Sequence, residues 1–226
     1  MKISSSLLLS VMVGVFILFA VQAEANVIGL YNTGVDNSNT LLSAGAIDPH
    51  YTLIQSADPS FPGPAAYVVD DAFAAFAWSY TGINANGPYS KWLSPNPDNS
   101  LAWGSYIYQT TFNLTGLNPS SALITGQWST DNEGYDILLN GHSTGNTIMI
   151  GDSHAFCDFH PFTISSGFVS GLNTLDFIVH NDGGPSGIRV EMSGTANAAT
   201  VPIPGAVWLL GSGLIGLVGI RRRFKQ

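Results

Sequence analysis

The fold class is decided by residues 128–141, Trp-Ser-Thr-Asp-Asn-Glu-Gly-Tyr-Asp-Ile-Leu-Leu-Asn-Gly. An aromatic and β-branched run, 122–129, passes into a polar turn, and a second apolar run, 135–139, ends at Asn140-Gly141. Asn-Gly is the dipeptide most typical of tight hairpin turns. The stretch therefore predicts two strands joined by a polar turn, with another turn closing the second strand.

The flanking sequence continues this pattern. Short runs rich in β-branched and aromatic residues occupy 104–114, 159–164, 174–180 and 187–193, separated by clusters of Gly, Pro, Asn, Asp and Ser. Strands at this spacing, with no alternation of strands and helices, are typical of a sandwich or jelly roll. We therefore expect one all-β domain over residues 26–195, with long loops and edge strands before residue 100.

The N-terminus predicts export. Lys2 precedes an apolar run over residues 7–21, and Ala23-Glu24-Ala25 follows it. A positive start, an apolar segment and an A-x-A site are the parts of a secretory signal peptide. We expect signal peptidase to remove residues 1–25; an uncleaved N-terminal anchor is the alternative.

The C-terminus predicts a membrane span. After a linker over 196–202, residues 203–220 carry no charge and are long enough, as a helix, to approach the thickness of a bilayer. The basic tail 221–226 follows at once, and the positive-inside rule places that tail in the cytoplasm. The domain before the helix is then expected outside the inner membrane.

These C-terminal residues also resemble a known sorting signal. Val201, Pro202 and Pro204 precede the Gly-rich apolar segment, and Arg221, Arg222 and Arg223 follow it. This arrangement is similar to the PEP-CTERM signal of Gram-negative bacteria, with Ile203 in the place of the usual Glu. The resemblance implies processing by an exosortase, from an inner-membrane-anchored precursor to the cell surface or extracellular matrix, and an association with exopolysaccharide or biofilm.

A second resemblance concerns the domain itself. The order Asp-Asn, strand, Asn-Gly in 131–141, with the later runs 173–181 and 187–191, is similar to the galactose-binding-like jelly roll. That fold includes many carbohydrate-binding modules. The resemblance implies a carbohydrate-binding domain.

The charge distribution excludes one class of partner. Residues 26–200 contain fourteen acidic residues and only two basic ones, Lys91 and Arg189, which gives this segment a net charge of −12. Nucleic-acid binding depends on Lys and Arg that neutralise phosphates. The domain is therefore not a nucleic-acid-binding protein, and a cation or a neutral sugar suits it better.

Two candidate sites follow. Asp131, Asn132, Glu133 and Asp136 place four oxygen-bearing side chains within six residues, which suits Ca²⁺ or, alternatively, a polar turn bonded to its own backbone. Exposed aromatic rings would stack on sugars, whereas buried rings would fill the core. The tryptophans considered for the sugar platform are Trp78, Trp92, Trp103 and Trp128.

No enzyme motif stands out. The sequence contains no Gly-x-Ser-x-Gly elbow, no His-Glu-x-x-His and no phosphate-binding loop. The expected function is non-enzymatic: a surface or matrix protein that binds carbohydrate. The alternatives are a secreted hydrolase acting on polysaccharide, which would need two facing acids, and a purely structural envelope protein.

Overall fold

The computed structural model describes residues 25–78, 86–96, 100–149 and 155–200. Within them the chain is built mainly of strands, which confirms the all-β prediction. The strands are β1 (Ala25–Val27), β2 (Ile47–Gln55), β3 (Ala65–Val68), β4 (Leu93–Ser94), β5 (Gly104–Asn113), β6 (Leu123–Asp131), β7 (Glu133–Leu139), β8 (His142–Ser143), β9 (His160–Ile164), β10 (Leu172–Asn181) and β11 (Gly187–Asn197). The helical elements are α1 (Asp71–Ala77) and a 3-10 turn at Pro119–Ser121.

The strands form one curled antiparallel sheet. Their order is β8-β7-β10-β5-β2-β3-β4-β11-β6-β9, and β1 pairs with β11 outside this path. The longest ladders join β10 to β5 and β11 to β6. Because the sheet curls, alternate residues of both ladders turn toward one shared interior.

The interior is filled by large side chains at alternate positions. Tyr106 and Tyr108 of β5 are fully buried, as are Phe177 of β10 and Trp128 of β6. The Trp128 and Phe177 ring centroids lie 5.8 Å apart, so side chains from two parts of the sheet meet in one core. Burial of each such side chain contributes about 1.5–3 kcal/mol.

The sequence 128–141 forms two strands, as predicted, but they do not pair with each other in the ladders. β6 pairs with β11 and β9, whereas β7 pairs with β10 and β8. The polar segment around Asn132 therefore carries the chain from one region of the sheet to another. The predicted Asn140-Gly141 turn joins β7 to β8, with φ of 52° and 78°, as a tight hairpin turn requires.

Helix α1 begins at a capping carboxylate. The Asp70 side chain accepts hydrogen bonds from the backbone N–H groups of Ala72 and Phe73. These bonds satisfy donors that the first helical turn leaves open. The helix brings Trp78, which follows its last residue, into the interior beside Trp92.

The folded chain extends past the expected domain boundary. β11 ends at Asn197, Ala198 bridges to Leu117, and the Ala199 N–H donates to the Gly116 carbonyl at 2.9 Å. Ordered pairing thus continues into the segment expected to be a linker. The described residues contain no helix of sufficient length and apolarity to cross a membrane. The signal peptide, the 203–220 helix and the basic tail expected from sequence lie outside the described residues.

Candidate ligand-binding surface

The loops before β5 and after β10 meet at one end of the sheet. Their strands are antiparallel neighbours, and Asn181 stands opposite Gly104. Trp103 therefore lies beside Gly183, which has φ of 106°. A Cβ atom at Gly183 would overlap the indole Nε1. Only glycine combines this backbone conformation with the close approach of the ring.

Hydrogen bonds fix the backbone on both sides of this contact. The buried Asn181 amide donates to the carbonyls of Leu101 and Ala102, both at 3.1 Å. The Leu101 N–H donates to the Gly184 carbonyl at 2.9 Å, and the Ala102 N–H donates to Asp58 Oδ2 at 3.1 Å. The Trp103 ring nevertheless remains 76% exposed. A large apolar ring is thus presented to solvent from a rigid support.

A pair of stacked rings lies next along the sheet. Tyr135 of β7 stacks on His180 of β10, with ring centroids 4.7 Å apart and an interplanar angle of 9°. His180 Nε2 lies 3.3 Å from Asp182 Oδ1. Desolvation, with the charges of Glu133 and Asp182, raises the pKa of Tyr135. The phenol, which is neutral at physiological pH even at its ordinary pKa, is thus held further from ionisation.

Asn132 connects the β6–β7 crossing to this pair. Its N–H donates to the His180 carbonyl at 2.9 Å, and its Oδ1 accepts from the Asp182 N–H at 2.7 Å. The contacts among these side chains and loops form one continuous surface, which we call the aromatic end. It comprises Trp103, Asn132, Glu133, Tyr135, His180, Asp182 and Gly183.

The aromatic end combines two kinds of group that a sugar requires. The rings of Trp103 and Tyr135 offer apolar area, while the half-exposed Asp182 carboxylate accepts hydrogen bonds. Binding sites typically combine aromatic surface with a small number of fixed polar groups. Aromatic side chains with polar tips also supply much of the binding energy at interfaces.

The four tryptophans considered in the sequence occupy different environments. Trp78, Trp92 and Trp128 are at most 1% exposed, whereas Trp103 is at the surface. Trp78 and Trp92 stack on each other at 4.3 Å, and Trp128 lies in the main core. Full burial leaves Trp78, Trp92 and Trp128 no face for a ligand, so the expectation that these three rings form a sugar platform is wrong. Of the four, Trp103 alone has an exposed ring.

The four residues considered for calcium do not form one ligand set. Asp131 lies in the interior, where its Oδ2 accepts from Trp78 Nε1 at 2.7 Å, and Asp136 Oδ1 accepts from the Ile137 N–H at 2.8 Å. Asn132 bonds to Asp182, as described above. In the described part of the chain, no three His, Cys, Asp or Glu side chains are grouped to hold a metal ion. The segment acts as a structural crossing that also supplies Glu133 and Tyr135 to the surface.

Asp131 is a carboxyl group in an unusual environment. The residue is 5% exposed. Burial, opposed by the hydrogen bond from Trp78, raises the pKa of Asp131 to about 7. Its backbone carbonyl also accepts from Ser186 Oγ at 2.5 Å. The Asp131 side chain joins Trp78, at the end of α1, to the end of β6 and is almost entirely withdrawn from solvent.

A shallow cavity of about 220 Å³ lies elsewhere, against the β7–β8 turn and the end of β9. It is lined by His142, several hydroxyl side chains and Leu139, and it contains no Asp or Glu. It therefore lacks the paired carboxylates that glycoside hydrolysis requires. The sorting-signal residues Val201, Pro202, Pro204, Arg221, Arg222 and Arg223 lie outside the described residues.

Comparison with known proteins adds no assignment: neither the protein-family models nor the curated proteins contain a match to this chain.

The sequence alone did not single out Tyr135, His180 and Gly183 as a group. The sequence predicts a strand over 174–181 and a turn at 182–185. It does not predict that these segments lie near Trp103, which is about 75 residues earlier in the chain. Only strand pairing between β5 and β10 brings them together.

Proposed function

We propose that this protein is an exported surface or matrix protein whose domain binds carbohydrate through the aromatic end. The observation that carries the proposal is Trp103, whose ring is 76% exposed on a backbone fixed by neighbouring loops. An exposed, rigidly supported indole at the same end of the sheet as Tyr135 and Asp182 suits the apolar face and the hydroxyl groups of a sugar ring. The activity proposed is binding, without catalysis.

The cellular localisation of the protein is proposed from its N-terminal and C-terminal sequences. The N-terminal run with Ala23 and Ala25 supports cleavage by signal peptidase. The apolar segment 203–220 with its basic tail supports an inner-membrane-anchored precursor. The PEP-CTERM-like signal supports later transfer by an exosortase to the surface or matrix of a Gram-negative bacterium, in a role tied to exopolysaccharide or biofilm.

The antiparallel all-β architecture supports a finer assignment of the fold. We propose a galactose-binding-like jelly roll, because long antiparallel strands enclose one main core and the Asn140-Gly141 turn closes β7. In this proposal the loops at one end of the strands carry the ligand surface.

The binding proposal is tested on a glycan array with the detergent-solubilised full chain and two variants. Trp103→Ala removes the exposed ring, whereas Phe76→Ala removes a ring that is 86% exposed on α1 and is not part of the aromatic end. We expect Trp103→Ala to weaken glycan binding about tenfold or more, as at other aromatic hot spots. Phe76→Ala should bind like the parent chain.

Three outcomes would change the proposal. Absence of binding to any glycan would remove the carbohydrate activity and favour a structural envelope protein. Equal binding by Trp103→Ala and the parent would move the ligand surface away from the aromatic end. Because no metal-ligand group is formed by the described residues, loss of binding in EDTA would contradict the structural role assigned to the Asp131–Asp136 segment.

A further inference from the structure

Both ends of the described chain lie at one end of the domain. β1 runs antiparallel to the last residues of β11, and Ala25 stands opposite Asn197. Neighbouring strands are separated by about 5 Å. The start of β1 and the end of β11 therefore lie side by side at this end of the domain.

Three connections converge on the same end. The Asn118 N–H donates to the Asn197 carbonyl at 2.8 Å, and the Leu114 N–H donates to the Gly171 carbonyl at 2.8 Å. The Asn140 side chain donates to the Gly167 carbonyl at 3.1 Å. We call this surface the terminal end. In the chain expected after signal cleavage, it comprises residues 26–27, 113–123, 140–146, 165–172 and 195–200.

The terminal end carries no charged side chain. None of its residues is Asp, Glu, Lys or Arg, although residues 26–200 contain fourteen acids. Ser, Thr, Asn and Gly predominate among them, and His142 is the single titratable side chain. A surface of this kind can approach a membrane interface without desolvating ionised side chains.

Aliphatic side chains are exposed on the same surface. Val27 is 81% exposed and Leu172 is 64% exposed, and Val169 and Leu123 are also exposed. Apolar groups at a membrane interface gain by leaving water. An acidic domain would instead be repelled by anionic lipids wherever it presented carboxylates.

The length of the remaining chain limits where the terminal end can lie. Ala199 is hydrogen-bonded to Gly116. Thr200, Val201 and Pro202 alone separate it from Ile203, where the predicted membrane span begins. An extended chain covers at most about 3.5 Å per residue, so the terminal end lies within roughly 15 Å of the start of that span.

We propose that the terminal end rests on the outer surface of the lipid bilayer, so that the aromatic end points away from the membrane. The inference rests on the membrane tether in the proposed function and is independent of sugar binding. Gly104 and Asn181 mark one end of the β5–β10 ladder, and Asn113 and Leu172 mark the other. Ten residues of strand separate the two ends by about 30 Å, which holds Trp103 above the lipid headgroups.

The test uses the full chain in vesicles of phosphatidylethanolamine and phosphatidylglycerol, with Cys157→Ser as the background. A fluorophore is attached through Ser120→Cys at the terminal end or, as the matched control, through Ser60→Cys near Asp58 and the aromatic end. Both serines are exposed. Quenching by a lipid with a spin-labelled headgroup is expected to be severalfold stronger at position 120 than at position 60.

Adding Leu172→Glu to the Ser120→Cys chain should reduce that quenching, because a carboxylate is repelled by the anionic surface. Equal quenching at positions 120 and 60 in membrane-integrated chains would overturn the proposal. Cross-linking between copies through Ser120→Cys, without quenching by lipid, would overturn it in favour of a second copy as the partner. Extraction of the chain from membranes by alkaline carbonate would overturn both the tether and the proposal, whatever the glycan array shows.

Discussion

Asp131 couples protonation to folding at the scale of a single residue. Its folded-state pKa is about 7, above the ordinary value of 3.8, because burial disfavours the charged carboxylate. Between these values the folded state binds more protons than the unfolded state. The stability contributed by the neutral group is therefore complete below about pH 4 and is lost as pH rises through about 7.

The free energy of unfolding should accordingly fall by about 4 kcal/mol between pH 4 and pH 8 through this residue. Asp131→Asn keeps an oxygen for Trp78 Nε1 but does not ionise. The free energy of unfolding of this variant, relative to that of the parent, should therefore increase as the pH rises from 4 to 8. Denaturant unfolding at a series of pH values measures the difference. Asp158→Asn, at an exposed carboxyl, is the control. A difference between Asp131→Asn and the parent that stays constant with pH would contradict the burial of an ionisable Asp131.

At the scale of elements, the packing of β7 against Trp128 of β6 depends on a glycine, Gly134, in β7. A Cβ atom at Gly134 would lie 2.5 Å from the ring of Trp128. Trp128 is fully buried and in contact with Phe177, so the ring has little room to move. Gly134 does not have a positive φ, so its backbone conformation would accept other residues. The close contact with Trp128 is what requires glycine at this position.

Gly134→Ala should therefore destabilise the domain by roughly 1–3 kcal/mol, the usual cost of overpacking a core. Gly29→Ala is the matched control, because no atom lies within 4 Å of the position that a Cβ atom would take there, and its φ is not positive. Urea unfolding followed by tryptophan fluorescence distinguishes the two. Similar midpoints for both variants would show that Trp128 can move aside.

For the whole molecule, the imbalance of charge opposes compactness. A net charge of −12 over residues 26–200 produces self-repulsion, which Lys91 and Arg189 relieve only locally. Salt screens repulsion between exposed charges beyond a Debye length of about 8–10 Å near physiological ionic strength. Attractive surface pairs are few among the described residues, so screening should mainly remove repulsion.

The melting temperature of the full chain in neutral detergent should thus rise as NaCl is increased from about 10 mM to about 150 mM, the range over which the Debye length falls most steeply toward 8 Å. Differential scanning fluorimetry in a neutral-pH buffer gives the measurement. A sucrose series serves as the control for general exclusion effects. A melting temperature that falls with salt would mean that attractive ion pairs outweigh the repulsion.

The arrangement of the elements explains which sequence expectations held. Alternation and turn dipeptides are local signals, so they predicted an all-β domain and the turn at Asn140-Gly141. They did not predict that β6 and β7 pair with different partners, because ladder pairing depends on distant segments. They also placed Asp131 and Asn132 in one candidate metal site, whereas the fold turns Asp131 inward to Trp78 and Asn132 toward Asp182.

The sequence by itself determined the acidic character of the domain, its strand-rich class and its predicted export and tethering signals, because these follow from composition and local pattern. The tertiary structure alone decided that Trp103 is exposed while Trp78, Trp92 and Trp128 are buried. It also decided that Trp103 lies beside Gly183, that Tyr135 stacks on His180 at the same end of the sheet, and that β1 and the end of β11 lie on a surface without charged side chains. Burial and proximity depend on pairing between residues far apart in sequence, such as Gly104 with Asn181 and Ala25 with Asn197.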